Sequence, residues 1–171
     1  MSLSRLHVAL FAAAALLAGC AERPDAPPPL SGEGAFYGSM AKAGARVDAA
    51  QARDMISLYR RNNGLGPLVL DPALERIAQH QARAMAEAND VSHETKGAFK
   101  QRLDAAGFAG NAAVENVSAG YHTLPEAFSG WRQSRPHNAN MLDRRMKRMG
   151  IATAYAPGTK YKVFWALVLS D

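Results

Sequence analysis

Cysteine is almost absent from the sequence: Cys20 is the only one among 171 residues. A single thiol excludes any disulfide within the chain, so the core must hold without one. The chain is long enough for a sizeable core, and 48% of its residues are hydrophobic. This composition fits one globular domain with additional segments.

Two common catalytic motifs are also missing. The His-Glu-x-x-His pattern of zincin peptidases is absent, because no histidine follows His93-Glu94 at the required spacing. The Gly-x-Ser-x-Gly pattern of a nucleophile elbow is absent too, which disfavours a hydrolase of that type. A triad of Ser134, His137 and Glu115 is conceivable, but no sequence feature marks it.

The longest apolar run is Val8 to Ala18, which is too short to span a bilayer and suits the core of a signal peptide. Arg5 supplies the positive charge expected before such a run. The run ends in Leu17-Ala18-Gly19-Cys20, which resembles a bacterial lipobox. We therefore predict a lipoprotein signal peptide over residues 1–19, with an ordinary signal peptide and an incidental cysteine as the alternative.

A diacylglycerol on Cys20 would hold the protein to a membrane, since each buried CH₂ group contributes about 0.8 kcal/mol. Glu22 occupies the second position after the lipobox cysteine. By resemblance to the sorting rules of Gram-negative lipoproteins, that residue favours the outer membrane. We expect the domain to face the periplasm.

Positive charge is in modest excess, with a formal net charge of +5. This excess favours anionic partners such as lipid headgroups or acidic cell-wall polymers. Nucleic acid is disfavoured because the basic residues are scattered, and the densest run, residues 144–148, contains no aromatic residue. We interpret that run as a solvated helix face.

The chain after the leader divides into a tether and a domain. Ala21 to Leu30 reads AERPDAPPPL, a stiff proline-rich stretch that cannot build a core. Residues 20–47 are therefore predicted to be a lipidated tether rich in proline and glycine. The folded domain is expected over residues 48–171.

Three capping signals and the apolar spacing of Phe99 and Leu103 predict four helices in this domain. Asp48 and Asp71-Pro72 each open an amphipathic segment, and Thr123 opens a third as part of a capping box. We expect helices over residues 49–62, 72–88 and 97–106, and from residue 124 onward. Strands are predicted over 114–117, 150–155 and 161–169. Helices come mostly first and strands mostly last, which indicates an α+β layered domain.

Four histidines follow the leader. His80 is expected on a helix surface and His122 in a loop. His93 and His137 are stronger candidates for chemistry, because each follows a predicted helix. Glu115 lies between them in an apolar segment, where a carboxylate is costly to bury without partners. The simpler alternative makes Glu115 an edge-strand residue and both histidines loop residues without a role.

Several motifs, in order along residues 50–170, resemble the CAP superfamily, which includes cysteine-rich secretory, antigen 5 and pathogenesis-related proteins. The motifs are Gly64-Leu65-x-Pro67-Leu68, Ser92-His93, Phe99-x-x-Arg102-Leu103, Glu115-Asn116-Val117, Trp131-x-x-Ser134-x-x-His137-x-x-Asn140 and Met149-Gly150-Ile151. The resemblance implies a three-layer α-β-α sandwich with a central, mainly antiparallel sheet. It also implies a cleft where two histidines and two glutamates converge, which binds a divalent metal in some members.

Carried over by position, His93, Glu115 and His137 match three of those four cleft residues. The fourth departs from the pattern, because Ser134 stands where plant and animal members have a glutamate. The resemblance thus implies a metal site, for example for Zn²⁺, formed by His93, Glu115 and His137. Glu115 is also the candidate catalytic residue, and Ser134 and Asn116 are expected beside the cleft.

The leading hypothesis is an exported, lipid-anchored protein of the cell envelope that binds a divalent metal or a small or lipidic ligand. The alternative is a metal-assisted hydrolase acting on envelope peptides or glycans. A third hypothesis is a purely structural lipoprotein with a relict cleft. Fold alone does not separate these functions.

Overall fold

A computed structural model describes residues 37–171. The signal peptide, the lipidation of Cys20 and most of the predicted tether therefore lie outside the described residues. Over residues 37–171, no helix is both long enough and apolar enough to cross a membrane.

The described residues form five helices and one four-stranded sheet. The helices are α1 (Ala49–Asn62), α2 (Pro72–Ala88), α3 (Phe99–Ala105), α4 (Leu124–Gln133) and α5 (Arg135–Met141). The strands are β1 (Val69–Leu70), β2 (Ala113–Ala119), β3 (Arg148–Ala156) and β4 (Lys162–Ser170). The strand order is β1-β3-β4-β2, with β1 parallel to β3 and the other neighbours antiparallel.

The predicted helix starts are confirmed by their caps. The Asp48 carboxylate accepts a hydrogen bond from the backbone N–H of Gln51 at 3.0 Å, and Asp71 caps α2 in the same way. Thr123 and Glu126 form the predicted capping box at the start of α4. These bonds satisfy backbone donors that a helix cannot satisfy internally.

Strand β4 runs through the middle of the molecule and is buried on both faces. Alternate side chains point to opposite faces of a strand. One set packs with α1 and α4, and the other packs with α2 and α3. The first set is Val163, Trp165, Leu167 and Leu169, and the second is Phe164, Ala166 and Val168. The sheet therefore lies between two helical layers, which confirms the predicted α-β-α sandwich.

Trp131 of α4 is fully buried in the first of these layers. Its ring packs edge-on against Trp165, with 6.4 Å between ring centroids. The indole N–H donates to the Ser118 hydroxyl at 3.1 Å. Trp131 is thus a core residue, as its helical spacing from Phe128 predicts.

Two elements were not predicted, and one interpretation was wrong. Helix α5 has no long apolar stripe, since its residues are largely polar and only Met141 is buried. Strand β1 is only two residues long, and pairing with β3 defines it. The basic run 144–148 is not a helix face: it forms a turn and the start of β3.

The sheet and a helix approach each other very closely at Gly150. A Cβ atom at this position would lie 2.1 Å from the backbone nitrogen of Glu75 and 2.2 Å from the backbone carbon of Leu74. Both obstacles are backbone atoms, which cannot rotate away as a side chain can. Only glycine allows α2 to pack this closely on β3.

We predict that Gly150→Ala lowers the free energy of unfolding by about 3 kcal/mol, because α2 must move off the sheet. Urea unfolding followed by circular dichroism measures the change. Gly158→Ala is the matched control, since no atom lies within 4 Å of its added methyl group. That control should change stability by less than about 0.5 kcal/mol. Equal effects of the two substitutions would contradict the close-packing argument.

Candidate functional site

The candidate site forms at β2, the edge strand that continues the sheet beyond β4. Neighbouring side chains of β2 point to opposite faces, so Glu115 turns toward the layer of α2 and α3 and Asn116 toward α4 and α5. Both side chains are buried. One dipeptide therefore contacts both helical layers at the edge of the sheet.

The Glu115 carboxylate is held by two partners. Its Oε1 atom accepts from Nη1 of Arg102 at 2.8 Å, and its Oε2 atom accepts from Nη2 at 3.1 Å. Oε2 also lies 2.8 Å from Nδ1 of His93. The side chains of Glu115 and Arg102 are only 1% and 6% exposed. A fork-to-fork pair of this kind satisfies a buried carboxylate in a way that a single bond does not.

Arg102 also fixes the loop that carries His93. Its Nη2 atom donates to the backbone oxygen of His93 at 2.8 Å, and its guanidinium lies 5.3 Å from the centre of the Phe99 ring. From the other side, the Gln81 amide donates to the backbone oxygen of Ser92 at 2.6 Å. Helices α2 and α3 thus position the Ser92-His93 backbone together.

His93 presents one ring nitrogen away from this network. The carboxylate of Glu115 can only accept, so Nδ1 of His93 carries the hydrogen and Nε2 keeps its lone pair while the ring is neutral. The side chain is 48% exposed. The hydrogen bond to Glu115 raises the pKa of His93, and partial burial opposes that rise.

His137 reaches the same edge from the other layer. It lies in α5 and is half-buried. Burial is the main cause that lowers the pKa of His137, and the positive charge of His93 lowers it further. The two imidazoles are therefore close enough to interact electrostatically around the edge of β2. One ring is biased toward the protonated form and the other toward the neutral form.

Asparagine side chains join α5 to β2. The Asn116 amide donates to the backbone oxygen of His137 at 3.0 Å. The Asn140 amide donates both to the backbone oxygen of Glu115 at 3.1 Å and to the side-chain oxygen of Asn116 at 2.9 Å. Asn116, which was expected beside the cleft, thus positions the backbone that carries His137.

Helix α1 holds α5 from the outside. The Tyr59 hydroxyl donates to the Asn138 side chain at 2.8 Å. The guanidinium of Arg60, 1% exposed, donates to the backbone oxygens of Met141, Asp143 and Met146 at 2.7 to 3.0 Å. Burial lowers the pKa of Arg60, and the Asp143 charge opposes that change. These bonds fix the short polar helix whose sequence has little apolar surface.

The predicted set of three metal ligands does not fit this geometry as it stands. Among residues 37–171, no three His, Cys, Asp or Glu side chains are grouped to hold a metal ion. Both oxygens of Glu115 are engaged by Arg102, so this carboxylate is the orienting partner of His93. The two imidazoles remain as candidate ligands, with Glu115 behind one of them, and a carboxylate behind a ligating histidine is common at metal sites.

Ser134 connects α4 to α5 and makes no side-chain capping bond to α5. It is half-buried near His137, but it supplies no carboxylate. His80 and His122 are exposed, on α2 and in a loop, as predicted.

Arg102 is the site residue that sequence reasoning missed. It stood in the motif Phe99-x-x-Arg102-Leu103 without a role. The signal was available, because a buried Glu115 needs a cationic partner and Arg102 sits beside Leu103 on the inward side of a predicted helix.

Comparison with known families identifies this architecture. The model of the cysteine-rich secretory protein family, known as CAP, matches residues 53–169. The chain belongs to the CAP family. Residues that the resemblance singled out, from the Arg102 helix to the last strand, all fall within the matched region of this CAP domain.

Two bacterial relatives share part of the CAP domain. YkwD of Bacillus subtilis (strain 168) is 26% identical over 100 residues, which cover 57% of this chain and 39% of that protein. The membrane protein YlbC of the same organism is 29% identical over 103 residues, which cover 59% of this chain and 30% of YlbC. The matches thus span well under half of each relative.

Solved structures show the same CAP fold. An extracellular protein containing an SCP domain from Bacillus anthracis str. Ames superposes with a TM-score of 0.63 at 22% identity, covering 71% of this chain and 39% of that one. An outer surface protein from Borrelia burgdorferi superposes with a TM-score of 0.65 at 19% identity, covering 75% of this chain and 98% of that one.

We predict that the two cleft histidines of the CAP domain titrate on opposite sides of about pH 6.5, the ordinary value for histidine. NMR titration should place the pKa of His93 above it and that of His137 below it. Glu115→Gln should lower the pKa of His93, because the hydrogen bond to a charged carboxylate is lost. Glu75→Gln, on an exposed turn of α2, is the control and should leave it unchanged.

The same shifts fix the pH dependence of stability. The fold favours the protonated form of His93. Its contribution to the free energy of unfolding is therefore fully present below about pH 6.5 and is lost as the pH rises through the raised pKa of the folded state. The fold disfavours protonation of His137. Its contribution to the free energy of unfolding therefore falls as the pH drops below about 6.5. Equal pKa values for the two rings would refute the asymmetric cleft.

Proposed function

We propose that this protein is an exported, lipid-anchored CAP-domain protein of the cell envelope, and that its cleft is a binding site. The cleft would take a divalent metal such as Zn²⁺, or a small or lipidic ligand, between His93 and His137. One observation carries the proposal: a buried Glu115–Arg102 pair fixes the ring of a half-exposed histidine next to a second imidazole.

The protonation states suit such a site. A metal ligand must be a neutral imidazole, and burial already favours the neutral form of His137. His93 donates its Nδ1 hydrogen to Glu115, which directs Nε2 to the open side of the cleft. Bound there, a divalent ion would supply positive charge for polarising a ligand oxygen.

Binding is better supported than hydrolysis by this geometry. In the alternative function, a metal-assisted hydrolase of envelope peptides or glycans, Glu115 would act as the general base. A general base must reach the proton that it removes. Both oxygens of Glu115 are bound to Arg102, and its side chain is 1% exposed, so it is poorly placed for that role.

The proposed location rests on the leader and on the neighbours. The apolar leader ends in the tetrapeptide Leu17-Ala18-Gly19-Cys20. The structural neighbours include an extracellular protein and an outer surface protein, and one relative is described as a membrane protein. These features support export and attachment by lipid on Cys20, with Glu22 favouring the outer membrane and a domain in the periplasm.

We predict that Zn²⁺ binds the full-length protein in detergent, with a stoichiometry of one. His93→Ala/His137→Ala should weaken binding at least about tenfold in isothermal titration calorimetry. His80→Ala/His122→Ala is the matched control, because it removes two exposed histidines outside the cleft. Binding should weaken below about pH 6.5, where protons compete for the imidazoles. An unchanged titration in the cleft variant would support the purely structural hypothesis instead.

We predict that membrane attachment depends on Cys20. In fractionated cells, Cys20→Ser should move the protein from the membrane pellet to the soluble fraction or leave it unprocessed, because the thiol that accepts the lipid is gone. Glu22→Gln, two residues away, should remain in the membrane pellet as the wild type does. If Cys20→Ser stays membrane-bound at the wild-type level and is processed normally, the lipoprotein proposal fails.

A further inference from the structure

The exposed side of α2 is lined by basic side chains and grooves. Arg76, His80 and Arg83 recur at helical spacing on this side, with Arg46 and Lys96 beside them. We name these five residues the α2 basic face. Two cavities of about 380 and 460 Å³ share Arg83 in their walls, and Arg46 lines the larger one. The cavities therefore form one continuous basic surface.

The arginines of this face lie outside the ion pairs of the described residues, although the pKa of Glu87, lowered mainly by its hydrogen bond to Lys96, is lowered further by the positive charge of Arg83. Within residues 37–171, no carboxylate lies at ion-pair distance from Arg46, Arg76 or Arg83. Two acidic residues are nearby. Glu87 is already paired with Lys96, and Glu75 lines a smaller cavity together with Arg46. The face keeps an excess of positive charge on a solvent-exposed helix.

Three other arginines of the domain are used internally. Arg60 holds backbone oxygens, Arg102 holds Glu115, and Arg148 bonds to Asp71.

Exposed arginines outside ion pairs also occur elsewhere in residues 37–171, for example Arg61 and Arg144. Arg76 and Arg83 differ because they line one cavity together with Lys96. Guanidinium forks match phosphate oxygens, and clustered basic side chains are attracted to anionic bilayers.

We propose that the α2 basic face docks on anionic phospholipid headgroups of the membrane to which the chain is attached. The inference rests on the proposed lipid anchor for its choice of partner. Residues 20–36, which join Cys20 to the described domain, span at most about 60 Å when fully extended. A lipid on Cys20 would keep the domain within this distance of the bilayer, and the charge of its surface would then favour one side facing the headgroups.

Tethering also favours a membrane over a soluble polymer as the partner. An anchored domain meets headgroups at a high effective concentration, so weak contacts from a few side chains are enough to dock it on the bilayer. At its Arg46 end the face lies beside Thr153 of β3, away from β2. At its other end, Lys96 lies in the loop that carries His93, so the face borders the candidate site there.

Covalent labelling of arginine with phenylglyoxal, read by mass spectrometry, tests the proposal on the full-length protein in vesicles. One set of vesicles is phosphatidylcholine, and the other is an equimolar mixture of phosphatidylcholine and phosphatidylglycerol. Labelling of Arg46, Arg76 and Arg83 should slow about fivefold in the anionic vesicles only. Arg61 and Arg144, exposed in the other helical layer, are internal controls and should not change. High salt should remove the protection, because screening shortens the reach of the charges.

A pair of charge-matched variants isolates the face. His80 serves as the reporter, labelled with diethylpyrocarbonate, and His122 as its reference. Arg46→Gln/Arg76→Gln/Arg83→Gln should abolish the protection of His80 by anionic vesicles. A control with the same loss of charge, Arg61→Gln/Arg144→Gln/Lys147→Gln, should retain it.

The outcomes separate the anchor from the docking surface. A protein that fails to float with phosphatidylcholine vesicles would count against the anchor, while the labelling in anionic vesicles still reports on the face. A protein that floats but shows no selective protection, or protects Arg61 and Arg144 equally, overturns the docking proposal alone. Protection by soluble polyglutamate but not by anionic vesicles would also overturn it, in favour of an acidic wall polymer.

Discussion

The candidate site depends on one buried ion pair, between Glu115 and Arg102. Burying either charge alone is costly, and removing one partner of such a pair typically costs about 3–5 kcal/mol because the other is left uncompensated. The pair joins an edge strand to α3, and the guanidinium holds the backbone of His93. This single interaction therefore fixes the ring orientation of His93 and the position of its loop. It also holds one helical layer over the edge of the sheet.

The opposite layer is held at the same place by hydrogen bonds to side-chain amides and to backbone oxygens. Asn116 and Asn140 join β2 to α5, and Arg60 fixes the turn that follows α5. Because Glu115 and Asn116 are consecutive, a shift of β2 by one residue would exchange their faces. The carboxylate would then meet the asparagine layer and lose its cation. The register of one edge strand thus determines whether the two histidines meet at all.

Features that depend on local interactions could be predicted from the sequence, whereas features that depend on contacts between distant parts of the chain could not. Helix starts at Asp48, Asp71 and Thr123 were predicted because a cap is a local feature. The continuous apolar run from Val163 to Leu169 similarly predicted strand β4. Helix α5 was missed because its stability comes from α1 and β2 through polar contacts far apart in the chain. The motifs singled out Glu115 together with His93 and His137, and the structure places Glu115 beside His93. The sequence does not show that Arg102 engages both oxygens of the carboxylate, so the role of ligand was assigned to it.

The absence of disulfides gives these polar contacts their importance. Within residues 37–171 there is no cysteine, so loops such as the one carrying His93 cannot be cross-linked. Gln81, Arg102 and Arg60 instead hold backbone oxygens from buried positions. A bond from a buried side chain to a backbone oxygen is costly to leave unmade, so it constrains a loop strongly without a covalent link. In this CAP domain the same bonds that replace cross-links also position the cleft, which couples the stability of the fold to the geometry of the site.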